Sequence, residues 1–94
     1  MDVYAQIVEK IIEGQEAIIG PVAIEQAQQI ENLEVNWAER TVIVSGDGVK
    51  VIEDLVQNYR ELFGQISVEV SKESAAGVLK MLPNEKLPLI FQHK

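Results

Sequence analysis

Helical apolar periodicity runs from Tyr4 to Ile30 with one interruption, Gly20-Pro21. That dipeptide constrains the fold more than any other feature. Proline disfavours helical geometry in the residue before it and clashes with the carbonyl four residues back, yet it suits the first position of a new helix. A straight helix over residues 3–31 would span about 43 Å, whereas a 94-residue domain has an expected radius of gyration of about 12 Å. The sequence therefore predicts two helices, 2–19 and 21–31. They form a helical hairpin, or a single kinked helix if an oligomer shares it.

On the first helix, Tyr4, Ile7, Val8, Ile11, Ile12, Ile18 and Ile19 fall on one broad arc. Asp2, Glu9, Glu13 and Glu16 fall opposite. Gln15 points into the middle of the apolar arc and Gly14 lies at its edge. A buried amide needs partners, so Gln15 either reaches solvent near the helix end or bonds across an interface. The second helix presents Ala23, Ile24, Ala27 and Ile30, and Asn32 ends it.

Leu33 to Trp37 alternates as a half-buried strand does, and Thr41 to Ser45 is rich in β-branched residues, so a hairpin is expected. Residues 48–63 give the cleanest amphipathic helix, closed by Gly64. Ile66, Val68 and Val70 alternate with Ser67, Glu69 and Ser71 and read as a third strand. A short helix over 72–82 follows, stopped by Pro83, and 83–94 is a tail. The expectation is one domain, 1–94, with a helical 2–31 and a ββαβα unit over 33–82. Its class is α+β: a two-layer sandwich in the order α-α-β-β-α-β-α, with a three-stranded mixed sheet and helices mainly on one face.

Between the second strand and its helix lies Ser45-Gly46-Asp47-Gly48. Such a joint can cradle phosphate on backbone N–H groups. Here Val51 stands where a Gly-x-Gly-x-x-Gly pattern needs its third glycine, no Lys-Ser/Thr pair follows, and Asp47 sets a negative charge between the two glycines. Asp47 is therefore read as a helix cap and the glycines as turn residues.

Charge excludes further classes. The formal net charge is −7, and residues 1–47 hold all of it, with nine acids and two bases. Nucleic-acid binding rests on cationic side chains that release counterions, and no basic stripe is present. There is no cysteine, hence no disulfide or thiolate metal site. No apolar run approaches the length of a membrane span, and no basic-then-apolar leader is visible, so a cytoplasmic location is expected. The one histidine, His93, stands beside the C-terminus. No catalytic residue, metal ligand or cofactor site is assigned.

The functional expectation is a non-enzymatic, homo-oligomeric protein-interaction module, most simply a dimer formed through Tyr4, Ile7, Ile11, Gln15 and Ile18. The alternative is a regulatory domain that senses a small ligand in a pocket near Trp37 and Tyr59.

Overall fold

Asp2 starts the first helix by accepting the Ala5 N–H at 2.9 Å. In the computed structural model, which describes residues 2–92, helix α1 spans Val3–Ile19 and α2 spans Val22–Ala27. Strands β1 (Leu33–Asn36) and β2 (Thr41–Val44) follow, then helices α3 (Gly48–Phe63) and α4 (Gln65–Leu79). Gly20 takes φ +71 and returns its N–H to the Glu16 carbonyl, so α1 and α2 are two separate helices. The longest extent of the molecule is 33 Å, too short for one straight helix over both segments, and the Cα radius of gyration is 11.9 Å.

α2 is shorter than the 21–31 expected from sequence. After Ala27 the backbone tightens into three-residue steps, with Gln29 N–H to Gln26 O and Ile30 N–H to Ala27 O. Asn32, at φ +64, then turns the chain into β1.

The hairpin pairs antiparallel, with Leu33 opposite Val44 and Val35 opposite Val42. Its inner face carries Leu33 and Val42, both buried, and the partly buried Val35 and Val44, while Glu34, Thr41 and Ile43 face outward with Asn36. Among the described residues the sheet has two strands, β1 and β2.

The three-stranded sheet and the α-α-β-β-α-β-α order expected from sequence are therefore wrong, and so is the short helix at 72–82. Residues 66–71 belong to α4, which runs through both segments. Gly64, at φ +86, caps α3 and is also the single residue linking α3 to α4. The face of α4 that packs explains the misreading. Ser67, Ser71 and Ala75 are buried at a spacing of four, with Val68 beside them. A stripe of small residues gives little apolar periodicity, and the β-branched residues at 66, 68 and 70 favour a strand locally. Tertiary packing overrides that preference.

α1 is the central element, in contact with α2, α3, α4 and β2. It packs tightly on α4: a Cβ placed on Gly14 would overlap the side chain of Ser74. Ala5, Ile7, Val8, Ile11, Ile12 and Gln15 are all buried, and Val51, Ile52, Leu55, Val56 and Tyr59 of α3 complete the same core. After α4 the chain makes two single 3-10 turns, Asn84–Lys86 and Leu89–Phe91. Leu87 and Phe91 insert into the core, and Leu89 donates its N–H to Glu53 Oε2 at 3.1 Å. The tail is thus docked as far as Phe91, whereas His93 lies outside the described residues.

Candidate interaction site

The strand-to-helix joint is filled by the protein itself. Asp47 Oδ1 accepts the N–H groups of Val49 (3.1 Å) and Lys50 (3.3 Å) at the start of α3. Gly46, at φ +70, makes the turn. The glycine at 48 has a different reason: a Cβ there would collide with the ring of Tyr4. Lys50 is drawn to Asp54 at 2.8 Å. The hydrogen bond and the charge of Asp54 push the Lys50 ammonium above its ordinary pKa, with Glu31 and Asp47 adding to the effect. A joint whose free N–H groups are capped and whose neighbours are acidic offers nothing to a phosphate.

The acidic face of α1 is partly used. Glu16 accepts the Trp37 indole N–H at 3.1 Å, and Glu13 accepts Arg40 at 3.4 Å. Arg40 also covers the Trp37 ring, 4.1 Å from its centroid. These contacts tie the hairpin turn to α1. No group of three or more His, Cys, Asp or Glu side chains placed to hold a metal occurs among the described residues.

Tyr59, expected beside a ligand pocket, is fully buried and donates its hydroxyl to the Ala23 carbonyl at 2.6 Å. With Trp37 bonded to Glu16, both aromatic residues have their polar groups engaged within the chain. Burial pushes the Tyr59 phenol well above its usual pKa. The folded state thus holds this proton where the unfolded state releases it, so stability is fully present below about pH 10 and falls as pH rises beyond it. Urea titrations between pH 10 and 12 should show an extra loss approaching ~1.4 kcal/mol per pH unit relative to Tyr59→Phe. Equal slopes for the two proteins would refute this.

Four of the five residues expected at a dimer interface are committed elsewhere. Ile7 and Ile11 are fully buried, Gln15 is 1% exposed, and Tyr4 is half-buried against Gly48. Gln15 is held within the chain by its amide N–H groups. Its Nε2 donates to Ser67 O at 2.9 Å and to Ser71 Oγ at 3.0 Å, and Ser71 Oγ donates to Ser67 O at 2.8 Å. Each such bond is worth about 0.5–1.5 kcal/mol net, so the amide locks α1 to α4. The polar residue in an apolar arc is visible in the sequence, but its partners lie in a segment that reads as a strand.

Ile18 differs, being 65% exposed. It stands at the rim of a recess of about 260 Å³ where the end of α1 meets the α3–α4 turn. Ile18 and Ile19 from α1, Phe63 from α3, and Ile66 and Val70 from α4 form the walls, and Gln15 and Ser67 are the polar residues of the lining among the described residues. Ile66 is 67% exposed, and Leu62, next to Phe63, is 52% exposed. Among the described residues no charged one lines this recess. The sequence pattern places Ile18 on an interaction surface but turns Ile66 inward, because a strand register assigns it to the covered face.

A second, larger cleft of about 560 Å³ lies between α4 and the tail. Ala76, Leu79, Leu82, Leu87 and Phe91 supply its apolar surface, and Glu69, Lys72, Glu73, Lys80 and Asn84 its polar surface.

No family model matches the chain, and neither a curated protein nor a solved structure matches it significantly.

Proposed function

We propose that this protein is a non-enzymatic interaction module that binds a second copy of itself through the end of α1 and the α3–α4 turn. The observation that carries this reading is the pair of exposed isoleucines, Ile18 and Ile66, on a recess with no charged residue in its lining among the described residues, with exposed Leu62 next in sequence to its Phe63 wall. Contiguous apolar surface is uncommon on soluble monomers and marks contact sites. Charge favours a like partner at this spot. Two chains of net charge −7 repel over most of their surfaces, so an uncharged patch is where they meet at least electrostatic cost. A two-fold contact is self-complementary, and here rim isoleucines face the partner's recess.

Sedimentation equilibrium at micromolar protein tests the proposal. Wild type is expected to associate. Leu62→Asp and Ile66→Asp are each expected to weaken association at least about tenfold, as charge in the centre of an apolar contact does. Ile43→Asp, on the outer face of the hairpin and 50% exposed, is the control that should change nothing. A wild-type monomer throughout the range would refute the reading.

The cleft between α4 and the tail supports a second reading, a domain that binds a small ligand. Its volume of about 560 Å³ falls within the range of ligand pockets, which are mostly apolar with a few polar groups. Two lysines balance two glutamates there, so the cleft selects for apolar shape over ionic charge.

A further inference from the structure

We infer that the recess at the end of α1 is a binding site for a small apolar molecule carrying one hydroxyl donor, with Gln15 Oε1 as its acceptor. This goes beyond self-association, because it assigns a specific chemistry to a point inside the patch. The orientation of the amide is settled by its partners. Ser67 O can only accept, so the atom facing it at 2.9 Å is Nε2 and the opposite end is Oε1. Nε2 is occupied by Ser67 O and Ser71 Oγ, whereas Oε1 receives no hydrogen bond from any described residue. Among the described residues no buried side-chain polar atom is left wholly enclosed without a partner. An acceptor outside that set keeps a narrow opening, and the recess is assigned as its place because Gln15 belongs to the lining.

The recess thus has apolar walls, the Gln15 acceptor fixed from behind, and Ser67 as the other polar residue of its lining. The side chain is 1% exposed and its donors are tied to α4, so it cannot turn away to find water elsewhere. A polar group held in this way discriminates by what it lacks: a ligand without a donor leaves the acceptor unpaired, which costs more than a missing apolar contact. A volume of about 260 Å³ lies just below the usual range for drug-sized ligands and suits a single ring or a short branched alcohol. Among the described residues no charged side chain lines the site to attract an ionised group.

Phenol is the probe, compared with benzene and with anisole, which keeps the oxygen but has no donor. Binding is read from methyl resonances of Ile18, Ile19 and Ile66 in the full chain, and again in Leu62→Asp, which leaves every residue lining the recess in place. The expected result is saturable phenol binding in both proteins, about five- to tenfold tighter than benzene or anisole. Gln15→Met should abolish the preference and retain benzene binding. Val70→Phe, which fills the recess from α4, should remove both ligands. Equal affinity for phenol and anisole, or shifts confined to Leu79, Leu82 and Leu87 at the other cleft, would overturn the proposal. Because Leu62→Asp isolates the recess from self-association, a monomeric wild type that still prefers phenol refutes only the dimer. A dimer without that preference in either protein refutes only this site.

Discussion

Ile11→Asp should unfold the protein. Ile11 is fully buried on the central helix, inside the cluster that also holds Ile7, Ile52 and Leu55. Truncating a buried isoleucine costs about 2–5 kcal/mol, and an unpaired carboxylate in the same place adds several more. A domain of this size has about 5–15 kcal/mol of stability in total. Circular dichroism of the variant should therefore show no cooperative thermal transition. A folded Ile11→Asp monomer with a native melt would place Ile11 at a surface, as an interface through the middle of α1 requires. Leu62→Asp changes an exposed residue and should keep its melt, so the pair separates a core position from a patch position.

The sequence displays those parts of the fold whose packing faces are apolar. α1 and α3 bury broad arcs of Ile, Leu and Val, and their ends carry recognisable chemistry: Asp2, Gly20, Asp47 and Gly64 occupy the caps. The hairpin is equally plain, since Leu33, Val35, Val42 and Val44 alternate with outward residues. α4 is hidden because much of the face it buries is Ser67, Ser71 and Ala75. Such a face has almost no apolar signature, and the apolar residues beside it, Ile66 and Val70, alternate well enough to suggest a strand. The error propagates to the site. With 66–71 extended, Gln15 has no partner inside the chain and Ile66 is covered. With 66–71 helical, Gln15 is locked and Ile66 stands open at a recess. One long-range contact, which no local pattern encodes, separates the two outcomes.

Two glycines carry a fragment of that information. Gly14 and Gly48 both sit where a helix would be better served by alanine, and in each case the reason is a neighbour distant in sequence, Ser74 for one and Tyr4 for the other. Gly14, which interrupts an amphipathic helix without a turn, is a hint that another element crosses there. The hint names a position on one helix and leaves the second helix unidentified.

Gly14→Ala turns this into a measurement. On an isolated helix the substitution would stabilise by about 1 kcal/mol. Here the added methyl meets both Oγ and Cβ of Ser74. Rotating the hydroxyl away removes only the first clash, so α1 and α4 must separate, and the bonds from Gln15 to Ser67 and Ser71 one residue further on are stretched with them. Overpacking of this kind costs about 1–3 kcal/mol. The melting temperature should fall by about 4–8 °C for each kcal/mol lost. Ser74→Gly alone should also destabilise, through the lower helix propensity of glycine. In the double variant the two changes should compensate, because removing the Ser74 side chain makes room for the methyl at position 14 and the crossing is rebuilt with its partners exchanged. A double-mutant cycle should therefore return a favourable coupling of about 1–2 kcal/mol. Additive effects, or a Gly14→Ala protein more stable than wild type, would mean that α1 and α4 do not cross at this point, and the Gln15 lock and the recess beside it would fail together.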